Sequence, residues 1–251
     1  MRALVAKIKP ANGFSYLAHL LILTLLPIAL FILVRVHFIQ LAFILIVLSK
    51  WRMFAVRPRF WPANIRANSI DIILGFSVLA LMIHSDTALG QIIWVALYVV
   101  WLTIIKPGST ILMTSIQSGI SFLLGLSALY LAWGSEPLYT LVFLTGLICY
   151  LAARHFFDSF DEPYAKLLSY LWGYFGASMM WLLGHWLLFY GVVAQPTLLL
   201  VVLGYGLSAL YYLDHFDRLS TMIRRQFVFI MVAVVVVVFT LSNWGDKIVG
   251  G

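Results

Sequence analysis

Two short acidic segments stand out in this chain. Asp158-Ser159-Phe160-Asp161 and, 56 residues later, Asp214-His215-Phe216-Asp217 share the pattern Asp-x-Phe-Asp, and each has a histidine at hand, His155 and His215. Residues three apart on a helical turn share a face, so each pair presents two carboxylates together. Two such pairs meeting across neighbouring loops would offer the oxygen ligands that Mg²⁺ takes when it bridges to a phosphate. With the histidines, the set also suits Zn²⁺ or Mn²⁺. The chemistry would be metal-assisted transfer of a lipid or lipid-phosphate group, and a divalent metal is the one cofactor the residues suggest. The same residues have a structural reading, which is the favoured one. Ser159-x-x-Glu162 ahead of an apolar run is a capping-box pattern, and Pro163 suits a first helical turn. Arg154, Lys166, Arg218, Arg224 and Arg225 lie in the same segments as ion-pair partners.

A third polar stretch is basic. Lys50, Arg52, Arg57, Arg59 and Arg66 alternate with Trp51, Phe54, Phe60 and Trp61, and Pro58 stiffens the Arg57-Pro58-Arg59 step. Anionic headgroups attract each such base by about 1 kcal/mol. These five residues are therefore the candidate contacts for anionic lipid or for an acidic protein partner. A loop pressed against a bilayer has little freedom to follow a phosphate backbone, so nucleic acid is not an expected partner. His19 and His185 fall inside apolar runs, where a neutral imidazole commonly bonds to a neighbouring helix. No Asp, Glu, Lys or Arg falls near the middle of a run, which weighs against a proton-coupled transporter.

The elements that must carry these residues follow from composition. Of 251 residues, 63% are hydrophobic and 10% charged, and the mean hydropathy is +1.03. A soluble domain carries about 25% charged residues. Long apolar runs without period-two alternation predict membrane-spanning helices rather than a barrel. The lone Cys149 excludes an intramolecular disulfide. Arg2, Lys7 and Lys9 ahead of an apolar run resemble a signal peptide, but the run is long, contains Pro27 and ends without a cleavage site, which predicts a retained helix.

The expected fold is all-α, one polytopic transmembrane bundle over residues 1–251 with no soluble domain. Helices are expected near 17–34, 36–49, 69–83, 91–105, 110–133, 138–153, 167–190, 197–213 and 227–241. With nine helices, the amino terminus cytoplasmic and the carboxyl terminus external, every Lys and Arg except Arg35 and Lys247 falls on the cytoplasmic side. Merging the first two helices would split the basic segments between the two faces, so the charge bias selects a tight turn at Arg35. Small residues four apart (Ser115 and Gly119, Ser121 and Gly125, Gly173 and Ala177, Gly204 and Ser208) mark close helix packing. The expected location is a bacterial cytoplasmic membrane.

Nine helices with acidic cytoplasmic segments distantly resemble the UbiA-type prenyltransferases, whose Asp-rich motifs bind Mg²⁺-diphosphate. The Asp158 segment sits at about the place of that family's second motif, with different spacing. The dense Asp motif after the family's second helix has no counterpart; the loop here is basic and offers only Asn68-Ser69-Ile70-Asp71. The resemblance defines an enzyme alternative and carries no activity over. The leading expectation is a non-catalytic assembly, scaffold or accessory subunit with a cytoplasmic docking surface, working with a protein partner or as a homo-oligomer. A metal-dependent lipid or lipid-phosphate transferase is one alternative. A transporter or channel for a small uncharged solute is the other.

Overall fold

In hydrocarbon, a chain segment must satisfy its backbone amides internally, and helix is the local way to do so. Helix dominates the computed structural model, which describes residues 14–242 and 244, and for 14–22 and Arg52 the backbone alone. The amino-terminal bases, Lys247 and the side chains of His19 and Arg52 lie outside that description. In chain order the helices are α1 (Phe14–Arg35), α2 (Ile39–Ser49), α3 (Trp61–Ala67), α4 (Ser69–Ile83), α5 (Ala88–Val100, continued by a π-helical turn over Trp101–Ile105), α6 (Ile111–Trp133), α7 (Leu138–Asp158), α8 (Ala165–Leu183), α9 (Gln195–His215) and α10 (Thr221–Leu241). Among the described residues, five segments are long and apolar enough to cross a membrane: Ala88–Ile105, α6, α7, α9 and α10. The segment 58–67 and α4 meet at 64°, and count as a sixth if the pair is one broken span.

Several boundaries differ from the expected ones for local reasons. The helix expected over 167–190 stops at Leu183. A Cβ on the following Gly184 would run into Leu138 and sit 2.6 Å from the Met180 carbonyl oxygen. The chain then forms a two-stranded hairpin, Phe189–Tyr190 against Val193–Ala194, turned by Gly191 at φ 64°. The helix expected to end at 153 runs on to Asp158, so His155 and Asp158 are helical rather than in a loop. α10 starts at Thr221, earlier than the expected 227, because Ser220 Oγ accepts the Ile223 amide at 3.2 Å. α2 has only 11 residues, an advance of about 16 Å at 1.5 Å per residue, or roughly half the hydrocarbon thickness.

Packing follows small residues and buried hydroxyls. On the α7–α8 seam a Cβ at Gly173 would lie 2.9 Å from Tyr150 Cβ and 3.0 Å from the Gly146 oxygen, and one at Gly176 would overlap Cys149 Sγ. Gly125 faces Ile73 and Ile148, and Gly204 faces Phe122 and Trp172. Gly119 has nothing within 4 Å of its Cβ position. Between α6 and α7, Ser118 Oγ donates to the Ala152 oxygen at 2.7 Å, and the Tyr130 and Thr145 hydroxyls pair at 2.6 Å. α10 lies at the edge, where Gly206 of α9 admits Met231. An open apolar groove of about 280 Å³ runs there between Tyr205, Phe227 and Ile230.

Gly176→Val is expected to lower stability by about 1–3 kcal/mol through overpacking. Adding Cys149→Ala should recover part of that loss in thermal unfolding in detergent, because the sulfur is the nearest obstruction. Equal melting of the wild type and Gly176→Val would contradict the seam.

Candidate functional site

Three interhelical polar groups lie at one end of the bundle. The first forms around Asp71, in the first turn of α4, where the helix dipole favours an acid. Lys50 sits just past the last turn of α2, where the dipole favours a base. Lys106 ends the π-helical turn, its amide donating to the Trp101 oxygen five residues back at 2.8 Å. Asp71 Oδ2 accepts from Lys50 Nζ and from Lys106 Nζ at 2.6 Å. Asp71 Oδ1 accepts from Trp101 Nε1 at 3.2 Å. Asp71 and Lys50 are 7% and 8% exposed, whereas the Lys106 side chain is 41% exposed. Burial holds the Lys50 ammonium below the ordinary lysine value; Asp71 opposes that shift and Lys106 adds to it.

The second group centres on Gln117 of α6. Its Nε2 donates to the carbonyl oxygens of Ile105 at 2.7 Å and Gly108 at 2.9 Å where the π turn ends; the Ile105 oxygen also accepts the Gly108 amide at 3.1 Å. Gln117 Oε1 accepts from His155 Nε2 of α7 at 3.1 Å. His155 is thus directed into the bundle. Arg154 and Asp158 form an ion pair along α7 at 2.9 Å.

The third group joins the two Asp-x-Phe-Asp segments, through their aromatic residues. Phe160, 7% exposed, packs edge-on against Tyr211 at 5.1 Å and His215 at 5.0 Å between ring centroids. Tyr211 donates its hydroxyl to Glu162, whose other oxygen accepts the Tyr164 amide at 3.2 Å. Asp158, Asp161, Asp214 and Asp217 are all exposed. Asp161 and Asp217 share a left-handed backbone, each at φ 53°. At α9 the Asp217 amide bonds to the Asp214 oxygen at 3.0 Å and the Arg218 amide to the Leu213 oxygen at 2.8 Å. That is a Schellman helix stop with Asp where Gly or Asn usually stands.

The shared motif therefore ends helices. The two acids of each pair do not share a helical face, because the helix stops between them. Ser159 does not cap the following helix either; its Oγ donates to the Phe156 oxygen at 2.7 Å at the carboxyl end of α7. Among the described residues, no three His, Cys, Asp or Glu side chains converge as a metal site.

The basic stretch forms an elbow. Arg57, Arg59 and Arg66 are exposed, with the Arg59 guanidinium 4.5 Å from the Phe60 ring centre. Trp61 stacks edge-on to Phe54 at 5.4 Å and donates Nε1 to the Val56 oxygen at 3.0 Å. Lys50 departs from the expectation for this stretch: it turns inward to Asp71, since a lone buried carboxylate demands a counter-charge. His185 lies at the opposite end and donates Nδ1 to the Trp181 oxygen at 2.9 Å, within its own helical turn.

Compared with protein families, curated proteins and solved structures, the chain shows no match. Sequence reasoning missed Asp71 and Gln117 as organising residues. The available signal was a single acid just inside one apolar run, with lysines at the ends of two others.

Asp71→Asn is expected to destabilise the protein by about 3–5 kcal/mol, as breaking a buried ion pair does. Gln117→Leu should cost about 2 kcal/mol by taking this partner from the Gly108 carbonyl and from His155. Urea unfolding in a fixed detergent measures both. Since Lys50 binds its proton less tightly when folded than its ordinary 10.5, the unfolded chain holds more proton between the two values. The unfolding free energy then gains from Lys50 as pH rises through that interval. Lys50→Met should remove this gain; an unchanged alkaline profile would contradict the placement of Lys50.

Proposed function

We propose that this chain is a non-catalytic integral membrane protein, an assembly, scaffold or accessory subunit, in a bacterial cytoplasmic membrane. In this reading nine hydrophobic helices form the bundle, with the amino terminus cytoplasmic and the carboxyl terminus external. The contacts of Lys50, Lys106, Gln117, His155 and Tyr211 support one common end for Arg57, Arg59, Arg66, Lys166 and Arg218. The loops after α4 and α6 carry Asp86 and Glu136. Basic residues gathered at one end favour the cytoplasmic side for it. Shortness of α2 does not disturb this, because α1 and α2 read as a hairpin return their ends to one face whether or not each crosses.

The observation that carries the scaffold reading is the use to which the polar groups are put. Asp71, Lys50, Gln117, His155, Phe160 and Glu162 tie helices to one another. The elbow presents Arg57 and Arg59 beside exposed Trp51, Phe60 and Trp61. Arg and aromatic side chains are the types that dominate binding energy at interfaces.

Purification in mild detergent is expected to yield a stable partner complex or a homo-oligomer, and reversing charge at Arg57, Arg59 and Arg66 to Glu should release it. A monomer throughout, with the charge-reversed chain fully functional in cells, would contradict the reading. Single cysteines placed at Arg57 and Glu136 in a Cys149→Ala background should label from the cytoplasmic and external sides respectively.

A further inference from the structure

We propose that Lys50 and Lys106 form a phosphate-oxyanion site, filled in the membrane by the phosphodiester of an anionic phospholipid headgroup. The source of the phosphate rests on the cytoplasmic placement of this end; the site itself rests on the geometry below.

Charge balance comes first. Two ammonium groups share Asp71, and among the described residues no other carboxylate lies within ion-pair distance of either. Among the described residues the cluster therefore holds one positive charge in excess, in a setting where Lys50 is 8% exposed. A phosphodiester carries one negative charge, which matches the excess.

Hydrogen-bond balance points the same way. An ammonium has three donors and no acceptor. Among the described residues Lys50 and Lys106 each have one acceptor, and it is the same Asp71 oxygen. The second Asp71 oxygen is engaged by Trp101. The unused donors of two neighbouring ammonium groups call for a ligand with several acceptor oxygens, which phosphate supplies and chloride does not. The Tyr98 hydroxyl is fully buried and has no partner among the described residues. It lies 3.2 Å from the Cβ position of Gly75, with Ile46 alongside, one helical turn inward from both Asp71 and Lys50. One turn from the lysines there is thus a second buried polar group without a partner among the described residues.

Access comes through Lys106, whose side chain is 41% exposed. Lysine binds phosphate as a compact point charge, and basic pockets between helices on the cytoplasmic side take phospholipid headgroups. The exposed Arg57 and Arg59 of the elbow take no part in the Asp71 ion pairs, so the two sets of bases can be tested apart.

The experiment titrates the purified full chain in neutral detergent with short-chain phosphatidylglycerol, and in parallel with inorganic phosphate, following the melting temperature. Phosphatidylglycerol is expected to raise it, and Lys106→Ala to weaken binding by about tenfold, the size of one charge-assisted contact. Lys106→Ala leaves Lys50 and Asp71 as a balanced pair, so the lipid-free protein should still fold; Lys106→Gln is the second variant if it does not. Arg57→Ala with Arg59→Ala should leave the shift intact. Phosphate acting as well as the lipid, with the same lysine dependence, upholds the oxyanion site and overturns the lipid source. No shift with either ligand, or an equal shift in Lys106→Ala, overturns the site. A lysine-dependent shift stands even where no protein partner co-purifies, and partner capture without such a shift overturns this proposal alone.

Discussion

A carboxylate removed from water carries a desolvation penalty of several kcal/mol unless charges and donors surround it. Asp71 meets that condition with two lysines and an indole, and the requirement reaches well beyond one residue. It fixes the end of α2 through Lys50, the start of α4 through Asp71 itself, and the end of α5 through Trp101 and Lys106. The π turn over Trp101–Ile105 is part of this arrangement, since it carries both α5 partners of Asp71. The carbonyls where that turn ends are taken up by Gln117, which brings in α6 and, through His155, α7. Phe156 and Phe160 extend the chain of contacts to Tyr211 on α9. One end of the bundle is thereby held by polar and aromatic contacts.

Away from that end the cohesion is of another kind. Lipid tails are as apolar as leucine, so helices gain little from hydrophobic contact and depend on close approach and interhelical hydrogen bonds. The glycine seam between α7 and α8 and the Tyr130–Thr145 bond between α6 and α7 supply both. α10 lies against α9, with Met231 at Gly206; its Val238 joins Leu183 of α8 and Leu199 of α9 in a buried cluster, and Ser242 at its end accepts from Gln195 Nε2 at 2.8 Å. What sets the Asp71 end apart is that it joins charged, amide and aromatic ties to exposed bases, which suits a protein that presents this end to something else.

Much of the helical pattern was legible because apolar runs and Gly-Pro interruptions are local signals. The stop after Leu183 was not, because the apolar run continues past it through Trp186, Leu187, Leu188 and Phe189. The Asp-x-Phe-Asp motif was visible but its meaning was not. Its second Asp adopts a left-handed backbone, and its first copy hides Phe160 among rings from α9; neither is written in the spacing. Asp71 was passed over because it stands near the edge of a run, where a charge normally needs no explanation. Its partners lie 21 and 35 residues away in the chain, a pairing that only the fold brings together. The same fact withdrew Lys50 from the exposed basic face.

The most direct measurement is a double-mutant cycle on Asp71→Asn and Lys50→Met, read as unfolding free energy in one detergent. A buried pair that ties α2 to α4 predicts that the double variant is less damaged than the sum of the singles, with a coupling of about 1.5 kcal/mol or more. Additivity to within about 0.3 kcal/mol would mean that the two residues do not meet in the folded protein, and the account built on Asp71 would fall with it.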